Sequence, residues 1–309
     1  MNSILFLPCN NGLGHIRRLS ILANKINSPL NKISFFLDSK KKNKFRLNRK
    51  IKKIFFLSYK KKKINGKLDL NKFTKIISDN EINEEVIFDK KKNIVIANFF
   101  WEEIFNKNIK NIKNIKNLKS KKIRVFSNYL FSNIKSNINI KKIGFFEKFK
   151  PNKKTDSILI SVGSAKSRLL PSFKIKLTKL LKKNLLKKKK IYLDPKLYAL
   201  NLKKFNVYKA DFSEKMYSKI SFAIIKPGLG TVEECLKRGI VICPVMEDEN
   251  KEFDHNTRVL SKTKLGFKFS TLEQILDFIN LRFYDYKFLT IFKNRCKNLR
   301  WNGEKKISI

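Results

Sequence analysis

Short apolar runs recur along the chain, and several of the intervals between them carry amphipathic stretches. SILFLP (Ser3–Pro8), KISFFLD (Lys32–Asp38), KIFFLS (Lys53–Ser58), NIVIANF (Asn93–Phe99) and IRVFSN (Ile123–Asn128) each read as a strand. HIRRLSILANKI (His15–Ile26) has the spacing of a helix between the first two. A second series repeats the scheme with SILISVGS (Ser157–Ser164), KIYLD (Lys190–Asp194), FNVYKA (Phe205–Ala210), SFAIIKPG (Ser221–Gly228) and VICPV (Val241–Val245). Near-continuous apolar strands alternating with helices imply a parallel sheet covered on both faces. A polar, proline-containing break at Pro151–Asp156 separates the two series. The expected class is α/β, with two Rossmann-like domains over residues 1–150 and 151–309. Loops at the carboxyl ends of the two sets of strands would face each other across a cleft suited to a bipartite substrate.

Composition changes this picture little. Hydrophobic residues make up 42% of the chain, enough for a real core, which excludes wholesale disorder. The net charge of +46 would ordinarily suggest nucleic acid. Here the excess is lysine, spread along the chain with Asn, Ile and Phe, the residues that AT-rich codons favour. No motif gathers arginine with aromatics, so nucleic acid is disfavoured as a partner, while attraction to anionic lipid at low salt fits. The run Lys182–Lys190 reads as a solvated helix face and loop. Cys9, Cys235, Cys243 and Cys296 form no CxxC pair, which fits a reducing, cytoplasmic setting. MNSILFLPC lacks a basic leader and reads as a first strand rather than a signal. No run reaches the ~18–20 apolar residues of a membrane span.

Two stretches carry candidate chemistry. In CNNGLGHIRR, Gly12 and Gly14 permit tight turns just before a helix that opens near His15. Helix N-termini favour phosphate and other anions. The plainer alternative is that both glycines only turn the chain and His15 caps the helix. The second stretch runs from Ile224 to Gly266. A strand enters Pro227-Gly228-Leu229-Gly230-Thr231, and a helix follows with Val232, Cys235 and Leu236 on one side. Glu234 stands in its early turns, where a carboxylate is favoured and a ribose diol could be bound; dipole complementation accounts equally for Glu233 or Glu234. Gly239 ends the helix, Pro244 ends the next strand, and EFDHN (Glu252–Asn256) opens a further helix. The chain's two histidines, His15 and His255, fall in these two stretches. There is no zinc spacing, no P-loop and no G-x-S-x-G elbow.

PGLGTVEECLKRGIVICPVMEDENKEFDHNTRVLSKTKLG resembles the donor-binding region of GT-B glycosyltransferases of family 28, which includes the UDP-N-acetylglucosamine transferase of peptidoglycan synthesis and galactolipid synthases. NGLGHIRR resembles that family's amino-terminal glycine-rich loop. The resemblance implies two Rossmann-like domains with an acceptor side first, a donor side second, and a last helix that returns to the first domain. It implies an inverting, metal-independent transfer from a nucleotide-sugar, UDP in the first instance, with no cofactor. The acceptor would be a hydroxyl of envelope or glycolipid type, lipid-linked at the inner membrane face. Carried over by position, Glu234 holds the ribose, Gly228, Gly230 and Thr231 flank the diphosphate, Glu252 meets donor-sugar hydroxyls, and Asn256 anchors that loop. His15 lies near the reacting centre as the expected base, with Gly12 and Gly14 on its phosphate side, and Asp254 and His255 in reserve. The chain departs from the pattern at SVGSAKSR, where Gly163 stands alone and Ser161, Ser164 and Lys166 replace a glycine cluster, and at Gly239-Ile240-Val241, which lacks a proline.

GLGHIRRLSILA also resembles the loop of a UDP-sugar hydrolase of pseudaminic acid synthesis, in which His15 would activate water and Arg18 would be the matching arginine. PCNN stands where that enzyme has Arg-x-Asp. Arg17 or Arg18 could instead meet an anionic acceptor, the other being a solvated helix residue. A basic nucleic-acid-binding protein on an α/β scaffold is a distant third reading.

Overall fold

The computed structural model describes residues 2–9, 14–38, 53–57, 72–80, 93–100, 123–153, 155–163, 170–183, 186, 189–199, 202, 205–245 and 250–309. The chain divides into two compact units, Met1–Glu147 with Asn302–Ile309, and Lys148–Trp301.

The first unit holds β1 (Asn2–Pro8), α1 (Gly14–Lys25), β2 (Asn31–Asp38), β3 (Lys53–Leu57), β4 (Lys75–Asp79), β5 (Asn93–Ile96), β6 (Arg124–Asn128) and β7 (Ile140–Ile143). These strands form one seven-stranded sheet in the order β3-β2-β1-β4-β5-β6-β7, every neighbouring pair parallel. Parallel sheets need cover on both faces, and β1 is buried without interruption from Ile4 to Pro8. One face packs Ile4, Phe6, Phe35 and Ile77 against Ile16, Leu19, Leu22 and Ala23 of α1. Phe6 and Phe35 stack there at 5.0 Å between ring centroids.

The apolar runs pass over two of these strands. β4 offers only Ile76 and Ile77 between polar neighbours, yet Ile76 through Asp79 are all buried. β7 exposes Lys141 and Lys142, as suits an edge strand that must not recruit another chain. The final residues close this unit. Gly303 donates to the Phe145 carbonyl, and Ile307 joins the core beside α1. A Cβ on Gly303 would overlap the Gly144 carbonyl, so only glycine permits this return.

The second unit holds β8 (Ser157–Ser161), α2 (Leu170–Lys182), β9 (Lys190–Leu193), β10 (Val207–Lys209), α3 (Glu214–Tyr217), β11 (Ile220–Ile225), α4 (Leu229–Arg238), β12 (Val241–Pro244), α5 (Lys251–Lys262), α6 (Leu272–Arg282) and α7 (Tyr286–Lys297). Its five strands are all parallel in the order β10-β9-β8-β11-β12. α7 belongs to this unit, and only the segment from Asn302 rejoins the first. Asn152, in the polar break, is buried here and donates to the Tyr217 and Ile220 carbonyls. Phenylalanines fasten the C-terminal helices to the sheet: Phe222 of β11 packs its ring against those of Phe278, Phe283 and Phe288.

One lysine departs from the solvated reading of Lys182–Lys190. Lys189 is buried, donates to Asn280 Oδ1 at 2.8 Å, and lies over the Phe283 ring. Its long stem covers apolar surface while its head finds a partner.

Candidate functional site

Each unit offers the place where open parallel sheets bind ligands, the carboxyl ends of the strands at which chain order reverses. In the first unit that point lies between β1 and β4. β1 leads through Cys9 toward α1, which begins at Gly14; Gly12 lies outside the described residues. β4 ends on Asp79, and the next residue, Asn80, takes a left-handed conformation with φ 56° while its N–H donates to the Ile96 carbonyl. Asparagine tolerates that region better than most side chains.

Asp79 is completely buried and sits between two side chains of α1. Its Oδ1 lies 2.8 Å from His15 Nδ1 and 2.8 Å from Arg18 Nη2, and its Oδ2 accepts from Arg18 Nε at 2.8 Å. Burial pushes the Asp79 carboxyl up, but the Arg18 and His15 charges and hydrogen bonds outweigh it and hold the group below the usual carboxylate range. An ionised carboxylate only accepts hydrogen bonds. His15 Nδ1 must therefore carry a proton, and in the neutral imidazole Nε2 then keeps its lone pair. Arg18 Nη2 stands 3.1 Å from Nδ1, but a protonated Nδ1 cannot accept, so its hydrogen goes to Asp79. His15 keeps 15% side-chain exposure, against 9% for Arg18 and none for Asp79. The group able to move a proton is thus the one nearest solvent.

The adjacent arginine faces differently. Arg17 is more than a third exposed and pairs with Glu147 at 3.2 Å. Of the two arginines, Arg18 is the buried one and Arg17 the more exposed. The loop resemblance points to Arg18, but nothing in it foretells Asp79, because the two isoleucines of its strand make a weak signal.

In the second unit the reversal lies between β8 and β11. β8 ends on Ser161, whose hydroxyl donates to Asp194 Oδ2 at 2.9 Å. Gly163 follows at φ +71°, and Ser164 and Lys166 lie outside the described residues. β11 leads through Lys226 and Pro227 to Gly228, the N-cap of α4, which supplies no side-chain cap. Gly228, Gly230 and Thr231 are half-buried around this helix start. Asn256, buried on α5, donates its amide to the Pro227 carbonyl at 2.8 Å and so ties the glycine-rich turn down. The start of α5 differs from that of α4: Asn250 caps it, accepting from the Glu252 and Phe253 N–H groups. Glu252, Asp254 and His255 are half-buried in its first turns.

No motif in the sequence singles out Lys226. It is 94% buried, since only 6% of its surface is exposed, and its ammonium lies 4.6 Å from the Phe253 ring centroid. A lysine closing a six-residue apolar strand was the available signal. Glu234 stands in the middle of α4, where Arg238 Nε donates to Oε1 at 2.6 Å and Lys237 pairs with Oε2 at 3.3 Å. Arg238 also reaches Glu214 at 3.3 Å. All three members on α4 are buried, so Glu234 serves an ion cluster at the C-terminal half of the helix. Among the described residues, no group of three or more His, Cys, Asp or Glu side chains is placed to hold a metal ion.

No family model matches the sequence, and no curated protein matches it. Solved structures do match. The glycotransferase of kitacinnamycin aligns over 98% of this chain and 96% of its own, with TM-score 0.65 and 9% identity. MurG of Acinetobacter baumannii aligns over 99% and 98%, with TM-score 0.61 and 12% identity. LpCGTa, solved in complex with UDP, aligns over 96% and 93%, with TM-score 0.63 and 10% identity. With its two parallel sheets, this chain has the fold of the GT-B glycosyltransferases.

Proposed function

We propose that this protein is a glycosyltransferase that moves a sugar from a nucleotide-sugar, UDP-linked in the first instance, to a hydroxyl acceptor. The observation that carries the reading is the His15–Asp79 pair at the switch point of the first sheet, in a chain that shares its fold end to end with glycosyltransferases. His15 Nε2 takes the acceptor hydroxyl proton as general base, and Asp79 holds Nδ1–H and stabilises the imidazolium that forms. The acceptor oxygen bonds to the anomeric carbon from the face opposite the diphosphate. The carbon–oxygen bond to the diphosphate breaks, and its electron pair leaves with the phosphate oxygen. The configuration at the sugar inverts.

The second unit takes the donor. The uncapped start of α4 at Gly228, Gly230 and Thr231 offers backbone N–H groups and the positive end of a helix to the departing diphosphate. Lys226, one residue before that turn, adds a fixed positive charge. Glu252 and the Ser161–Gly163 loop complete the donor set of this unit and Asn256 holds the turn in place, while the family resemblance adds Ser164 here and sets Gly12 and Gly14 on the phosphate side of His15 in the first unit. The ribose contact of Glu234 rests on the family resemblance alone, since its carboxylate already serves Arg238 and Lys237. The donor is a substrate, and the family resemblance implies a transfer without further cofactor or metal.

The acceptor class follows the family 28 resemblance: a hydroxyl of envelope or glycolipid type at an anionic membrane surface, to which a chain of net charge +46 would be drawn. Among the described residues no helix is long and apolar enough to cross a membrane. All four cysteines are buried as free thiols, which supports a cytoplasmic site of action.

A thermal-shift screen against UDP, GDP, CMP, dTDP and their sugars tests the reading, with Lys226→Met alongside. Selective stabilisation by one nucleotide is expected, of about 2.7 kcal/mol at a hundredfold excess over Kd, and weaker in the variant. No response to any nucleotide would overturn the donor assignment. Arg18, which the hydrolase resemblance also matches, contacts the same pair, so free sugar released at a catalytic rate without acceptor would make water the acceptor instead.

A further inference from the structure

We infer that Arg18 is a positioning residue for His15, acting through the buried Asp79 carboxylate as the third member of a His–Asp–Arg unit; the inference rests on the role proposed for His15. Three observations carry it.

The first is geometry. Arg18 grips both oxygens of Asp79, Nε on Oδ2 and Nη2 on Oδ1, each at 2.8 Å. A two-point grip by a planar guanidinium fixes the carboxylate plane, which a single ammonium contact would not do. Oδ1 is the atom shared with His15 Nδ1, so fixing the plane fixes the direction in which the imidazole is held.

The second is placement. Arg18 lies one helical turn after His15 on α1, the spacing that puts two side chains on one side of a helix. The first turn of α1 contains no acidic residue and carries His15 and Arg17, with Arg18 directly following. Cations at a helix N-terminus oppose the helix dipole. An arginine kept there and nine-tenths buried is placed at some cost to the helix, and Asp79 is the counterion that relieves it.

The third is that the backbone around Asp79 is itself held. The Cys9 N–H donates to the Asp79 carbonyl, and the Asn80 N–H donates to the Ile96 carbonyl. With the main chain pinned on both sides, the remaining freedom of Asp79 is rotation of its carboxylate, and Arg18 removes it. Loss of that grip lets the carboxylate turn away from Nδ1, and an imidazole without that acceptor takes up the tautomer with the proton on Nε2, which cannot accept a proton from a hydroxyl there.

The test uses the full chain and two variants. Arg18→Lys keeps the charge beside Asp79 but loses the fork, which preserves folding better than Arg18→Ala. Asp79→Asn removes the ionised acceptor. The readout besides activity is nitrogen-15 NMR of the imidazoles, simplified because the chain has only two histidines. In the wild type the His15 signal should report Nδ1–H; in Arg18→Lys it should shift toward a mixture of tautomers. Turnover should fall roughly 10²-fold with KM for donor unchanged, the size expected when a reacting group is misplaced by about an ångström. In the Asp79→Asn background, Arg18→Lys should cost little more, because the path through Asp79 is already broken. An unchanged His15 tautomer and unchanged turnover in Arg18→Lys would overturn the inference, as would fully additive losses in the double variant. If the tautomer shifts but no sugar transfer is found with any donor, the arginine's role stands and the transferase reading fails.

Discussion

Two sheets in this molecule share the strand order 3-2-1-4-5 in each unit's own count, which the first extends with two further strands, yet end at their switch points in opposite chemistry. The first unit fills that point with interlocked side chains: a buried carboxylate, a forked arginine and a histidine with one ring nitrogen tied. The second leaves side chains out at the start of α4, where Gly228 is the cap and the turn is held from behind by Asn256. The difference fits the role proposed for each place. Taking a proton from one direction demands a side chain with fixed orientation. Accepting a bulky anion demands room and backbone N–H groups. One topology serves both because the strands only aim the loops, and residue choice decides what the loops offer.

The strongest way to break the comparison is to empty the first switch point alone. His15→Ala should lower turnover by about 10²–10⁴-fold, the range for loss of a general base. Nucleotide-induced stabilisation should persist, because the proposed donor end lies in the other unit. Loss of nucleotide binding in His15→Ala would mean the two switch points do not divide the work in this way.

A comparable effect, on stability rather than turnover, belongs to Glu234. If the carboxylate serves the ion cluster, Glu234→Gln removes the buried charge facing Arg238 and Lys237, leaves Arg238 the exposed Glu214 as its remaining carboxylate partner, and should destabilise the protein by ~3–5 kcal/mol. Nucleotide stabilisation, referred to the variant's own baseline, should survive. A ribose ligand would give the reverse: a near-normal melting temperature and a lost nucleotide response. Calorimetry with and without UDP separates the two.

How much of this was legible in the residues depended on how loudly each announced itself. The parallel α/β plan was plain from runs such as SFAIIKPG and SILISVGS, because strands buried on both faces have no polar alternation to obscure them. Gly239 could be read as a helix end, and it does close α4 in the left-handed region at φ 67°. Asp79 could not be read. Its strand carries two isoleucines, and its importance comes from a sheet register that sets Pro8 beside Asp79 across more than seventy residues. No local pattern encodes such a pairing. Lys226 lies in plain view, but a charge at a strand end is normally a solvated one, and its burial and the Phe253 ring of α5 show that this one is not.

Acid titration sharpens the comparison further, because the first switch point depends on a charge whose pKa is displaced. The Asp79 carboxyl is held below its ordinary range by Arg18 and His15 against the opposing effect of burial. A lowered folded value means its contribution to stability is complete above the unfolded value of about 3.9 and declines as pH falls through that value toward the folded one. Melting temperatures of the wild type and Asp79→Asn should therefore differ most near neutrality and converge below about pH 4. Parallel curves through that window would show that Asp79 is not the displaced group.

The smallest effect should come from the neighbour of the residue with a large one. Arg17 and Arg18 are adjacent and chemically identical, and a charge count treats them alike. Arg18 is 9% exposed on a carboxylate that water cannot reach, whereas Arg17 and its partner Glu147 are each more than a third exposed. Exposed pairs gain little, since water screens the attraction and two long side chains lose freedom to form it; their usual worth is ~0–1 kcal/mol. Arg17→Ala should therefore leave turnover, His15 tautomer and melting temperature close to wild type, and added salt should shrink what difference there is. A large loss in Arg17→Ala would place the exposed arginine in substrate recognition. Taken beside Arg18→Lys, the pair measures what burial alone does to one kind of side chain on one helix, with sequence position and charge held nearly constant.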